Sequence, residues 1–199
     1  MKTEELAREV IARLKGEGKT LATAESCTGG LLGKLLTDVP GASSVYKGGV
    51  ISYVNEVKHR LLGVDQQTLD VCTAVSRETA HEMAKGAREV VRSDVGISTT
   101  GLAGPDGDGT GRPVGLVYVA LDMEGFSYCR ELHLAGDRAE IRARAAHEVL
   151  EYIYDYGYTS AQIAQAMHTD INLIALKIAH LAETGHDLRR IDYRSDFLK

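Results

Sequence analysis

The sequence predicts an α/β fold: a three-layer αβα domain built on a mixed sheet, with a small all-α appendage at its C-terminal end. Three observations carry that expectation. Short β-leaning runs alternate with amphipathic stretches of helical period, two strand-to-helix joints are rich in hydroxyl and glycine residues, and the composition shifts after Gly157. Residues 1–156 are therefore read as the α/β domain and 157–199 as the tail.

The elements follow in order. Leu6, Val10, Ile11 and Leu14 recur at helical spacing between Glu4 and Lys15, and Gly16 and Gly18 end that helix. Thr20–Ala24 reads as a buried strand running into a helix over Leu31–Leu36, and Asp38–Gly41 is a turn. Gly49–Tyr53 is the second strand, feeding a helix from about Asn55 to Leu62. Ser76 caps a helix whose apolar face is Ala80, Met83, Ala84, Ala87, Val90 and Val91, with Glu78 in its first turn. Val95–Thr100 is a strand, and Gly101–Pro113 a glycine-rich loop of a length that is usually functional. Val114–Leu121 and Phe126–Leu134 form a hairpin about Glu124-Gly125, and Asp137 opens a helix with Ile141, Ala145, Val149 and Ile153 facing inward.

Composition excludes several classes. Of 199 residues, 44% are apolar and 26% charged, as in packed globular chains rather than disordered or fibrous ones. Lys and Arg number 23 against 28 Asp and Glu, a net charge of −5 that repels a phosphate backbone unless a local patch intervenes. The three cysteines, Cys27, Cys72 and Cys129, form no C-x-x-C pair, which argues against a disulfide framework or a zinc knuckle and for a reducing compartment. The N-terminus has no signal-peptide core, and no run approaches the ~18 apolar residues of a membrane span. A cytoplasmic protein without membrane contact is expected. No Walker motif occurs, Asp106 and Asp108 open a calcium-like loop whose twelfth position is Val117 rather than Glu, and the histidines have no ligand spacing. No metal and no cofactor is expected.

Chemistry can sit at three places. In Ala24-Glu25-Ser26-Cys27-Thr28-Gly29-Gly30 a strand ends as a helix begins, so free backbone amides can hold an anion or an oxyanion beside Ser26. Ser26 or Thr28 acting only as a helix cap reads the same residues equally well, and Cys27 can be a reactive thiol or a small buried hydrophobe. If Asn55 is an N-cap, Lys58 occupies the third helical position, where the dipole and burial lower its pKa toward that of a general base for Ser26. The competing reading is a surface lysine leaning away from the helix end. In Ser98–Gly107 another strand ending in hydroxyl residues enters the glycine loop, either to cradle a ligand or as a plain surface connection.

Taken together, AESCTGG (24–30), GGVISYVNEVKHRLLGV (48–64), AVS (74–76), STTGLAGPDG (98–107), RPVGLVYVA (112–120) and GDRAEIRARA (136–145) resemble the CinA C-terminal domain family over about residues 4–153. The resemblance implies a nicotinamide mononucleotide deamidase, similar to serine amidohydrolases, that yields nicotinate mononucleotide and ammonia in pyridine nucleotide salvage. It implies Ser26 as nucleophile, Lys58 as its base and Tyr53 as an aid to proton transfer, with no histidine required. Thr28, Gly29 and Gly30 would offer oxyanion or phosphate contacts. Asn55, Thr100, Gly101 and Ala103-Gly104-Pro105 would line the substrate, and Arg138 and Arg142 would meet its phosphate. Val57 stands where a smaller residue is common in the family. Longer members carry an N-terminal domain that this sequence does not include, so its activity is not expected here.

The tail has no counterpart in the family. Thr159-Ser160 can cap a helix over Ala161–Met167, followed by a turn at His168–Asp170 and a helix from Ile171 to Thr184 ending at Gly185, which resembles a helix-turn-helix. Residues 151–199 carry five basic side chains against seven acidic ones, a poor surface for DNA. The expected partners are a small nucleotide substrate and further copies of the chain, with Leu173, Ala175, Leu176 and Ala179 as a packing surface. The alternative is a catalytically silent ligand sensor that binds DNA or a protein through the tail.

Overall fold

The structure, a computed structural model, describes residues 1–154. The expected helix-turn-helix and the boundary at 156/157 lie outside them. Helix α1 (Thr3–Gly16) buries Leu6, Ala7, Val10, Ile11 and Leu14, the stripe its spacing predicts, and places Glu4 and Glu5 in its first turn and Arg13 and Lys15 in its last. Strand β1 (Leu21–Glu25) is buried at every position, as suits a central strand covered on both faces.

With β2 (Tyr46–Ile51), β3 (Val95–Gly101), β4 (Leu116–Met123) and β5 (Phe126–His133), β1 forms a five-stranded sheet in the order β2-β1-β3-β4-β5. β1 runs parallel to β2 and β3, while β3, β4 and β5 are antiparallel, so the sheet is mixed as expected. Helices α3 (Asn55–Leu62), α4 (Gln66–Val71) and α5 (Arg77–Val91) cover one face. α2 (Leu31–Thr37) and α6 (Arg138–Tyr152) lie with α1 on the other, where Thr3 Oγ1 and His147 Nδ1 meet at 3.0 Å.

The core on the α5 side is built from small residues that bring helix and sheet close. Ala22 and Ala24 of β1 pack with Met83 and Ala87 of α5 and with Leu62, Val64 and Leu69, while Ala80 and Ala84 pack on Ala120 and Cys129. Ser76 caps α5 by accepting from the Thr79 N–H at 3.2 Å, as its position predicts. Asp137 caps α6 through a reciprocal pair, its carboxylate accepting from the Glu140 N–H at 2.9 Å and its own N–H donating to Glu140 at 2.8 Å.

Several expectations need correction. β2 begins at Tyr46 rather than Gly49 because the glycine pair lies inside the strand: a Cβ on Gly49 would stand 2.0 Å from Thr23 Oγ1 of β1. β4 begins at Leu116 rather than Val114, since the Leu102 N–H donates to Leu116 O at 2.9 Å and the Gly115 N–H to Leu102 O at 2.7 Å, closing the base of the glycine loop first. Val90 is 58% exposed and not part of the buried face of α5, which turns toward Gly86. The short α4 and a 3-10 turn at Ala42–Ser44 are too brief for periodicity to reveal.

Gly86 matters beyond its own helix. A Cβ there would lie 1.9 Å from the Leu62 carbonyl oxygen, at the end of α3. Gly86→Ala is expected to lose about 1–3 kcal/mol of stability through overpacking, more than the roughly 1 kcal/mol gained in helix propensity. Urea denaturation checks this; a variant as stable as the wild type contradicts the close packing of α3 on α5.

Candidate active site

The parallel half of the sheet directs its strand ends to one side, and the loops that leave them converge. Ser26 follows β1 directly and its N–H donates to Thr99 O of β3 at 2.9 Å, which anchors the nucleophile position to the strand next door. Lys58 comes from α3, after the neighbouring strand on the other side. Its Nζ lies 2.9 Å from Ser26 Oγ and donates to Ser52 O at 2.6 Å.

Lys58 is only 1% exposed, so its ammonium form loses most of its hydration. Burial lowers its pKa from 10.5 to about 8, with the adjacent Cys27 thiol working slightly the other way. The helix position differs from the expected one. Val54, not Asn55, is the N-cap of α3, so Lys58 is the fourth helical residue and its N–H already donates to Val54 O at 3.2 Å. When Nζ is neutral its lone pair can accept from the Ser26 hydroxyl, while one N–H stays with the Ser52 carbonyl and fixes the direction of that lone pair. Cys27 is buried, and burial pushes its thiol up to about 11, so it stays protonated at neutral pH and is a weak nucleophile.

A cleft of about 480 Å³ opens over this pair. Tyr53, Asn55, Thr100, Gly101, Ala103, Gly104 and Arg138, all singled out in the sequence, line it together with Ser26 and Lys58. Thr100 lies 1% exposed with its Oγ1 donating to Ala74 O at 2.6 Å, which holds the Ala74-Val75 wall in place. Tyr53 is 58% exposed and its hydroxyl accepts from Arg138 at 2.7 Å; among the described residues it bonds to neither Ser26 nor Lys58. Arg138 also donates to Gly104 O at 2.7 Å, tying the loop after β2 to the glycine loop.

Thr28, Gly29, Gly30 and Arg142 stand elsewhere. The Thr28 hydroxyl and the Gly30 N–H donate to the Glu25 carboxylate at 2.7 and 2.9 Å, and the Gly29 N–H donates to Ser26 O at 3.2 Å. Of the turn amides, those of Cys27 and Thr28 donate to no other described residue, and Thr28 is fully buried. Arg142 donates to the carbonyls of Cys27 at 3.2 Å and Thr28 at 2.7 Å, supporting the turn from α6 instead of facing the cleft. Sequence reasoning passed over Glu25, because a carboxylate at a strand end carries no local signal of what it meets. Leu102, Asp106 and Asp108 line the cleft from the glycine loop, although the sequence reading gives none of them a substrate role and weighs the two aspartates only as the opening of a calcium-like loop.

The CinA C-terminal domain model matches residues 3–157. The chain belongs to the CinA C-terminal domain family. A Caldanaerobacter subterraneus subsp. tengcongensis relative, provisionally named as competence-damage inducible, is 50% identical over 153 residues, 77% of this chain and 37% of that protein. A CinA-like protein of Kosmotoga olearia is 45% identical over 150 residues, 75% of this chain and 36% of that one. The chain thus matches little more than a third of the length of these relatives. Among solved structures, the competence damage-inducible protein A of Klebsiella pneumoniae subsp. pneumoniae MGH 78578 is similar with a TM-score of 0.77 and 34% identity over 78% of this chain and 97% of that one. The competence/damage inducible protein CihA of Agrobacterium tumefaciens gives 0.74 and 40%, over 76% and 93%. Among the described residues no group of His, Cys, Asp and Glu could hold a metal ion, and no helix is long and apolar enough to cross a membrane.

The buried lysine makes stability depend on pH with a definite sign. Between about 8 and 10.5 the unfolded chain still holds the Lys58 proton that the folded chain has released, so stability rises with pH across that window. Lys58→Met is expected to remove this increment in urea denaturation followed against pH. An unchanged increment in the variant contradicts the burial of a titrating amine.

Proposed function

We propose that this CinA-family domain hydrolyses the carboxamide of nicotinamide mononucleotide to nicotinate mononucleotide and ammonia, by a Ser/Lys mechanism. The observation that carries the proposal is the 2.9 Å contact between Ser26 Oγ and a buried Lys58 Nζ at the floor of a cleft. The family resemblance supplies the substrate. The cleft volume lies within the roughly 300–1,000 Å³ of small-molecule sites, which supports a ligand of nucleotide size.

In this mechanism Ser26 Oγ attacks the carboxamide carbon while its proton passes to neutral Lys58, and the carbonyl oxygen becomes an oxyanion beside Cys27, which lines the cleft next to Ser26. Lys58 returns the proton to the amide nitrogen as the C–N bond breaks, and ammonia leaves an ester on Ser26. Water then adds to that ester, giving its proton to Lys58, and the proton returns to Ser26 Oγ as the acid departs. Arg138 uses two of its donors on Gly104 and Tyr53 and keeps others, so it is the cation proposed to meet the phosphate. Tyr53 would act through Arg138 and the cleft rim.

Ammonia release from nicotinamide mononucleotide is expected to fall by about a thousandfold or more in Ser26→Ala and in Lys58→Ala. Cys27→Ala keeps its backbone N–H and is expected to remain active. Activity surviving in Ser26→Ala overturns the mechanism. The wild-type kcat/KM is expected to rise with pH to a plateau, with a midpoint near the Lys58 value of about 8, because the neutral amine is the reactive form. A profile flat from pH 6 to 9 contradicts a lysine base.

A further inference from the structure

We infer that Glu25 is the positioning residue of the nucleophile, holding the Ser26 turn rigid from beneath. This rests on the reading of Ser26 as nucleophile. The Glu25 side chain is 2% exposed, and a buried carboxylate is costly unless its oxygens are fully engaged. They are. Oε2 accepts from Thr28 Oγ1 at 2.7 Å, the Gly30 N–H at 2.9 Å and the Leu32 N–H at 3.0 Å, and Oε1 accepts from the Gly33 N–H at 2.7 Å.

Every one of those donors lies just beyond Ser26 in the chain. Glu25 itself is the last residue of β1, aligned with Ile51 of β2 on one side and Thr99 of β3 on the other, so its backbone is fixed in mid-sheet. The turn between β1 and α2 is thus clamped at both ends, with Ser26 inside the clamp. Thr28 Oγ1 also meets Thr99 Oγ1 at 2.7 Å, linking the clamp to the strand that accepts the Ser26 N–H.

A helix cap alone does not require this arrangement. The N-cap of α2 is Gly30 in a left-handed conformation with no side-chain cap of its own, and an ordinary Ser or Asp there would satisfy one or two amides locally. Instead the amides of α2 turn inward to a carboxylate on the residue before the nucleophile. Gly33 leaves the room: a Cβ there would stand 3.4 Å from Glu25 Oε1 and 2.9 Å from the Tyr46 hydroxyl. One consequence is that these α2 amides are closed to a substrate anion.

The test is the rate at which a fluorophosphonate modifies Ser26, forming the Ser26 O–P bond with loss of fluoride, measured per folded molecule below the unfolding transition. Glu25→Gln is expected to react about tenfold or more slowly, Thr28→Val about threefold to tenfold more slowly, and Thr28→Ser within about twofold of the wild type. A merely structural cap lowers the melting temperature and leaves that rate unchanged. If Glu25→Gln does not fold, the Thr28 pair decides. Wild-type rates in Glu25→Gln or in Thr28→Val overturn the inference, as does a wild-type Ser26 that is never modified. Ammonia release measured alongside separates the two readings: modification that depends on Glu25 without deamidation of nicotinamide mononucleotide sinks the substrate assignment and keeps the clamp.

Discussion

An amine taken almost wholly out of water is the constraint around which this domain is arranged. Lys58 is 1% exposed and has two polar neighbours at its nitrogen, a serine hydroxyl and a main-chain carbonyl, and among the described residues no carboxylate reaches its Nζ. A carboxylate partner would stabilise the ammonium form and restore an ordinary pKa. Without that partner burial wins, and the neutral form, whose lone pair can accept from Ser26, becomes accessible close to neutral pH.

The fold supplies the burial. Ser26 and Lys58 follow two adjacent parallel strands, β1 and β2, whose ends must point the same way, so both groups reach one side of the sheet. α5 presses on that end of the structure with small residues, and Gly86 lets the end of α3 settle against it. The second parallel neighbour, β3, brings Thr99 under the turn and Thr100 to the cleft wall. Charges are divided by face: Glu25 points under the sheet toward α2, while Lys58 and Arg138 face the cleft.

Much of this was legible in the residues. Long periodic elements such as α1 and α5 declared themselves, since a buried stripe and a capping serine are local properties. The Ser26–Lys58 pair was also legible, because each sits at a strand-to-helix joint and the joints of parallel strands meet. What was not legible depends on distant partners. Nothing near Glu25 says that four donors will surround it, and nothing near Arg142 says that carbonyls of the nucleophile turn, rather than a ligand, will take its guanidinium. Gly49 misled for the same reason, its meaning lying in Thr23 on the next strand. Lys58 stands one helical position later than its spacing suggests, because Val54 and not Asn55 caps α3, and burial is the largest cause of its lowered pKa.

The neutral amine can be observed directly. With lysine labelled at Cε, a carbon-detected NMR titration assigned by comparison with Lys58→Met reads the ionisation of this one side chain in the folded protein. A midpoint near 8, well below those of the other lysines, is the result expected from its burial. A midpoint at the ordinary 10.5 would make neutral Lys58 far too scarce near neutral pH to serve Ser26 and would contradict the lysine base.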